Sequence, residues 1–532
     1  MTGPRVPPPD DGPVPPPDDP VLTPAGPGEA ALGEVRALIR QTALLVSSGV
    51  VGYAGAFALN VLLARDLGAS GFGAWVIAMA FARSIGTLGL FGAEWIVLRQ
   101  GSYYQGIGDT ARLRKTIHLA LTIAAVVLSI MGVAVVVSAS ALGRDVFHNA
   151  QIVPLLRLSG ALGPVMGIGT VMIYGTQAFR RMHSRALVTN ILEPLFRLLF
   201  VGVALVVARS QFAAFVGVVI AECLLTVAAT IALKRQIPLF GPTADIQTRE
   251  LVKFAVPVWG QRLMETMRAQ LFPILLGSLA LLTSTAVYAA SLRIAVMSSA
   301  IITAMLAVYA PMGSNLYLQQ RRTDYVTLFR SMAKWSFLLG LPVFALQVSF
   351  PKEMLSLFGH AFRGATSALI VMAVATLFNF ATGPVTVTLN QIGRPNLALL
   401  DYVLTVAAEV GLGLLLIPRF GVVGAAIARA CGSAINNVLP LIQVWYLERI
   451  HPFRLDWLKP VVAAGAGVGV ARVLIRVIGL GTGIRAGAVA AFVIGVVYVV
   501  LVLLFGLSGE DRVGLQALRR VGGGAVPVQI EE

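Results

Sequence analysis

Along the chain, long apolar runs alternate with short polar stretches. From about Thr42 onward, runs of roughly twenty residues recur, each long enough to cross a hydrocarbon core of about 30 Å. Fourteen spans are predicted, near 42–64, 74–97, 116–138, 151–176, 186–208, 211–233, 254–282, 285–313, 331–350, 365–390, 396–418, 420–446, 459–479 and 485–508. In lipid the backbone must satisfy its own hydrogen bonds, so each run reads as a helix. The short alternating segments of a barrel are missing. The expected fold class is an all-α polytopic membrane protein. Pro384 lies inside the tenth span, where it predicts a kink.

Residues 1–35 break this pattern. VPPPDD stands at Val6–Asp11 and again at Val14–Asp19. Clustered proline and acid give an extended, solvated chain, so a disordered tail is expected there. No apolar centre flanked by basic residues marks it as a signal peptide. Residues 509–532 are read as a second tail.

Composition agrees with a lipid solvent. Of 532 residues, 57% are hydrophobic and 12% charged, against about 25% charged in soluble domains. Cys223 and Cys431 stand alone, which speaks against a disulfide scaffold, a zinc site or a redox pair. The net charge is +16, but the basic residues punctuate apolar runs, which indicates membrane orientation rather than nucleic acid. Loops holding Arg112, Arg114, Lys115, Lys234, Arg235, Arg321 and Arg322 outweigh those holding Arg65, Arg144 and Arg209. This places both termini in the cytoplasm and requires an even number of spans. No GxxxxGK[ST] motif is present, and the five histidines are scattered, so an enzyme is not expected.

Ionisable residues inside the spans are the strongest functional signal, since each costs roughly 2.5–3.5 kcal/mol at mid-membrane unless it meets water or a partner. The second span holds Arg83 and Glu94, which a continuous helix would place on one face about 16 Å apart. In the seventh, Gln261, Glu265 and Arg268 form a polar stripe, with Arg262 beside it. Arg293 lies in the eighth. Pairing of Glu265 with Arg268 is the structural alternative. Glu193 and Arg197, four apart, read as a helical pair. Asp401, near a span end, is placed to snorkel.

Several segments carry a family signature: LLARDLGASGFGAW at Leu62–Trp75, LVKFAVPV at Leu251–Val258, LLGSLALLTSTAVYAASLRIA at Leu275–Ala295, LNQIGRPN at Leu389–Asn396 and LIPRFGVVGAAIARA at Leu416–Ala430. Together they resemble polysaccharide flippases of the Wzx type, in the superfamily that also holds MATE exporters and lipid II flippases. The resemblance covers about Arg36 to Glu448. It implies two six-helix bundles, 36–236 and 237–448, related by a pseudo-two-fold along the membrane normal. Two extra helices follow in 449–508.

The resemblance also implies that the first, second, seventh and eighth helices line a central cavity. Arg83, Arg262, Arg268 and Arg293 are then its expected substrate-binding residues, suited to phosphate by their planar forks. Glu222, Glu409 and Arg429 fall on helices expected to be peripheral. Glu94 and Glu265 are the candidates for ion coupling. Arg472 and Arg476 are candidates for lipid phosphate in a groove beside the extra helices, with snorkelling to the surface as the alternative. RAQLFPILLG, Arg268–Gly277, lacks the acidic residue that the family carries before PILLG, which puts carried-over ion coupling in doubt.

The implied activity is translocation of a lipid-linked oligosaccharide across the cytoplasmic membrane, for surface polysaccharide synthesis. Its partners would be that substrate, membrane lipids and a polysaccharide polymerase or assembly protein. No cofactor, metal or nucleic acid is expected. The alternatives are a MATE-like drug exporter, which the inward arginines oppose, and a transport-inactive scaffold of the same fold.

Overall fold

The computed structural model describes residues 27–179, 186–246, 248–453 and 457–504. Residues 509–532 and most of the tail predicted for 1–35 lie outside them. Helix nevertheless starts at Pro27, inside the predicted tail. Proline suits a first helical turn, and the alanines, leucine and glutamates that follow are good helix formers.

No strand occurs among the described residues. The first helices are α1 (Pro27–Leu88), α2 (Ala93–Gly106), α3 (Thr110–Ala141), α4 (Val153–Ala178), α5 (Glu193–Ala208) and α6 (Gln211–Lys234). Then follow α7 (Thr248–Leu279), α8 (Leu282–Ala295), α9 (Ser299–Leu318), α10 (Arg322–Ser349), the short α11 (Pro351–Leu355), α12 (Thr366–Thr382), α13 (Val385–Gln391) and α14 (Pro395–Glu448). The last two are α15 (Leu458–Ile478) and α16 (Ile484–Leu504).

Eleven helical stretches are long and apolar enough to cross a membrane. Two of them are interrupted by glycine, α1 at Gly68 (φ 68°) and α14 at Gly421 (φ 54°). A left-handed φ is open to glycine at little steric cost. The long helix α7 falls outside the eleven and carries Arg262, Glu265 and Arg268. With α1 and α14 divided and α7 counted, the helices are compatible with fourteen spans.

Three predicted spans are interrupted, the eighth, 285–313, by a 3-10 turn at Val296–Ser298 between α8 and α9. Gly383 (φ 72°) and Pro384 separate α12 from α13, more than the expected kink. The span read as 74–97 stops at Leu88 and restarts at Ala93. Phe91 and Gly92 between them both take positive φ. The single-helix geometry linking Arg83 to Glu94 therefore does not hold.

Helices α1 to α6 pack mainly on one another, with α4 against α1, α3 and α6. A second group centres on α14, against α7, α12 and α13. Helices α15 and α16 pair and lean on α10. Between the groups, α1 lies against α7 and α8. The approach is closest at Gly73, where an added Cβ would stand 1.9 Å from the Leu282 carbonyl oxygen. From Gly73 to Leu88 the helix rises about 22 Å. Past that end, a Cβ on Gly92 would lie 2.8 Å from the Ala255 carbonyl oxygen. The Trp259 indole N–H donates to the Leu88 carbonyl at 2.8 Å.

The segment joining the groups is strapped to α3. Arg114, buried, donates from Nε to the Pro238 carbonyl at 2.9 Å and from Nη1 to that of Pro242. His118 Nε2 lies 2.7 Å from the Leu239 carbonyl oxygen.

Candidate functional site

Between the Gly73 and Gly92 contacts lie two adjoining cavities of about 250 and 310 Å³. Asn60, Trp75, Met79, Arg83 and Arg293 line both. The smaller is completed by Ala269, Gln270 and Pro273 of α7, Tyr288 of α8 and Arg429 of α14. Tyr53, Asn190, Glu193 and Arg197 line the larger.

Helical spacing brings the first-group residues together. Trp75, Met79 and Arg83 follow each other at intervals of four, on one stripe of α1. Trp75 is held by stacking on Phe72, ring centroids 6.2 Å apart. It is 3% exposed, and its indole N–H has no acceptor among the described residues. Asn60 spends its amide on the Ala56 carbonyl at 2.6 Å, leaving its own oxygen for the cavity.

Two charge clusters of opposite sign flank these cavities. In the first, Arg197 meets Glu193 at 2.7 Å, as predicted, and also donates from Nε to Glu222 at 2.7 Å. One guanidinium between two carboxylates leaves one negative charge. In the second, Glu409, fully buried, meets Arg268 Nε at 3.1 Å and Arg429 Nη1 at 3.5 Å. One carboxylate between two guanidiniums leaves one positive charge. Arg83 and Arg293 form no ion pair or hydrogen bond among the described residues. Arg83 lies within electrostatic range of Arg293 and of the Arg197 cluster.

Of the four arginines predicted to bind substrate, the structure sets Arg83 and Arg293 on the cavity wall. Arg268 turns instead to Glu409 and Ser433, the latter at 3.3 Å. Its pairing with Glu265 does not form. Arg262 pairs with Glu265 at 2.8 Å and lies 5.7 Å from the Trp95 ring centre, outside both cavities.

The predicted ion-coupling residues are separated. Glu94 is buried in the first turn of α2, one carboxylate oxygen without a partner among the described residues. Glu265 borders a different recess of about 190 Å³, with Thr386, Asn390 and Tyr402. Arg472 and Arg476 are exposed on α15.

Three expectations are corrected. Arg429 lines the cavity, although its helix was expected to be peripheral. Glu409 is tied to that wall through Arg429 and Arg268. Asp401 does not snorkel: it is 1% exposed and accepts from Gln443 Nε2 at 2.9 Å. The sequence also overlooked Trp75. An aromatic next to FGA reads as core, and only its place on the cavity wall with Arg83 and Arg293 marks it out.

The solved structure of lipid II flippase MurJ in an inward closed conformation superposes with TM-score 0.64 at 12% identity, over 88% of this chain and 98% of that one. An inward-facing multidrug resistance MATE transporter of the MOP superfamily gives 0.60 at 13%, over 77% and 99%. These likenesses show the fold. In sequence, a probable low-salt glycan biosynthesis flippase, Agl15 of Haloferax volcanii, is 33% identical over 105 residues, 20% of this chain and 22% of that protein. The chain spans less than a third of the length of the curated relatives it matches. The family described as polysaccharide biosynthesis protein matches residues 38–317, more than half the chain. With that match over more than half its length, the chain belongs to the polysaccharide biosynthesis protein family.

Proposed function

We propose that this protein is a flippase that carries a lipid-linked oligosaccharide from the cytoplasmic to the outer face of the cytoplasmic membrane. The observation that carries the reading is the placement of Arg83 and Arg293 on a cavity wall inside the helix bundle, with no carboxylate paired to either among the described residues. An arginine charge held away from bulk water is expensive without an anion. A lipid diphosphate supplies that anion and matches the guanidinium fork. Trp75 contributes to the same wall, and the Asn60 oxygen is suited to a sugar hydroxyl.

A polar cavity removes most of the penalty for taking a charged, many-hydroxyl head group through hydrocarbon. The carrier tail stays in lipid. Opening the Gly73 contact and the Gly92 contact in turn would expose the cavity to each face. Export of a doubly charged diphosphate is favoured by an inside-negative potential, at about 2.3 kcal/mol per charge per 100 mV. For a coupled ion the candidates remain Glu94 and Glu265. Intact transport and ion dependence in both Glu94→Gln and Glu265→Gln would remove them. The released product would pass to a polysaccharide polymerase or assembly protein.

The test is complementation of cells lacking a polysaccharide flippase, comparing the native chain with Arg83→Ala and Arg293→Ala at matched membrane abundance. Rescue of surface glycan by the native chain, with lipid-linked precursor accumulating in both variants, is expected. Equal rescue by the variants would overturn the site, and no rescue by the native chain would count against the substrate.

A further inference from the structure

Unlike Arg83 and Arg293, the cavity residue Arg429 is held by partners. Its Nη1 donates to the backbone carbonyl of Arg268 at 2.7 Å and meets Glu409 at the looser 3.5 Å. Glu409 keeps a closer partner in Arg268, at 3.1 Å. The cluster joins α7 to both halves of α14. It is tightly seated: a Cβ on Gly432 would lie 2.5 Å from Glu409 Oε1.

The α7 carbonyl that Arg429 holds lies at a weak point of that helix. Pro273 has no N–H, so the carbonyl of Ala269 loses its helical donor. Ala269 and Pro273 both line the cavity, as Arg429 does. A guanidinium from α14 thus grips one of the two turns of α7, at Pro257 and at Pro273, where a helical hydrogen bond is missing. The same guanidinium faces the space assigned to the substrate anion.

We propose that Arg429 is an exchangeable third anion ligand: substrate phosphate draws it away from Glu409 and the Arg268 carbonyl, and α7 then changes its bend at Pro273. This rests on the phosphate-binding reading of the cavity. Three features support it. Glu409 stays neutralised by Arg268 after Arg429 leaves. A phosphate offers the fork two oxygens where Glu409 offers one at 3.5 Å. The released carbonyl belongs to the turn already missing a bond, so the helix can yield there without breaking an intact ladder.

The experiment uses full-length protein in nanodiscs, with geranylgeranyl diphosphate as probe. Cys223 and Cys431 are first replaced by serine, and spin labels are placed at Lys253→Cys and Leu318→Cys. Both sites are exposed, and Leu318 lies in the second helix group. Lys253 stands twenty residues before Pro273, an arm of about 30 Å, so a 10° change of bend moves it about 5 Å. In the native background the probe is expected to shift the label distance by about that much. Arg429→Gln is expected to bind the probe about tenfold more weakly and to show no shift at saturation. Glu409→Gln, which removes the competing carboxylate, is expected to bind more tightly.

Opposite signs in these two variants separate an exchanging ligand from a structural cluster, in which both would weaken binding together. Binding with no distance change in the native background, or a full shift in Arg429→Gln, would overturn the inference and leave the phosphate site standing. No binding of the probe to the native chain would overturn the phosphate site itself, and the inference with it.

Discussion

Replacing Gly73 with alanine tests whether the contact between α1 and α8 is a closure of the cavity. The added Cβ would sit 1.9 Å from the Leu282 carbonyl oxygen and 2.7 Å from its carbonyl carbon, inside the 3.0 Å that real Cβ contacts keep. Both partners are backbone, so no side chain can swing aside. The helices must part by about 1 Å, and overpacking of this kind costs roughly 1–3 kcal/mol. If the clash exists only in the closed arrangement, that strain shifts the equilibrium toward the open one by about 5- to 150-fold. The assay labels Val76→Cys, on the cavity wall one turn from Gly73, with an impermeant maleimide in a Cys223→Ser, Cys431→Ser background. Labelling from the Gly68 face of sealed vesicles should rise within that range, with little change from the opposite face. A lowered melting temperature with unchanged labelling from both faces would refute the reasoning, since the contact would then be packing and not a gate.

Other outcomes follow from the same geometry. Gly92→Ala places a Cβ 2.8 Å from the Ala255 carbonyl oxygen at a φ of +78°, so labelling of Val76→Cys should rise from the opposite face. Trp75→Phe keeps a ring stacked on Phe72 and removes a buried N–H without a partner among the described residues, so the melting temperature should hold or rise slightly. Glu409→Ala strands Arg268 and Arg429 and should destabilise the protein by roughly 3–5 kcal/mol, read as a lowered melting temperature in detergent.

Apolar run length placed most helices, because one continuous apolar segment per crossing is a property of local sequence. The turn at Phe91 and Gly92 was harder to see. Its residues are apolar, so hydropathy ran through it, and only the glycines of TLGLFG, Thr87–Gly92, marked a stop. Arg83 and Arg293 were legible because a charge amid apolar neighbours stands out by itself. Their difference from Arg268 was not. Whether an arginine meets a carboxylate depends on a residue such as Glu409, 141 positions away on another helix. The role of Arg429 was hidden for the same reason: its partners are a distant carboxylate and a backbone carbonyl, neither of which spacing along one helix reveals.

The strap on α3 sets a mechanical limit. Arg114 fastens the connecting chain as far as Pro242, and α7 starts at Thr248. Only six peptide units lie between, with a contour length of about 20 Å when fully extended. While the strap holds, the first residue of α7 is leashed within that radius of the anchor on α3. The stroke available to this end of the second helix group therefore has a ceiling written into the chain. Lengthening the leash by inserted glycines would raise that ceiling, and loosening Arg114 would move its anchor back toward α6.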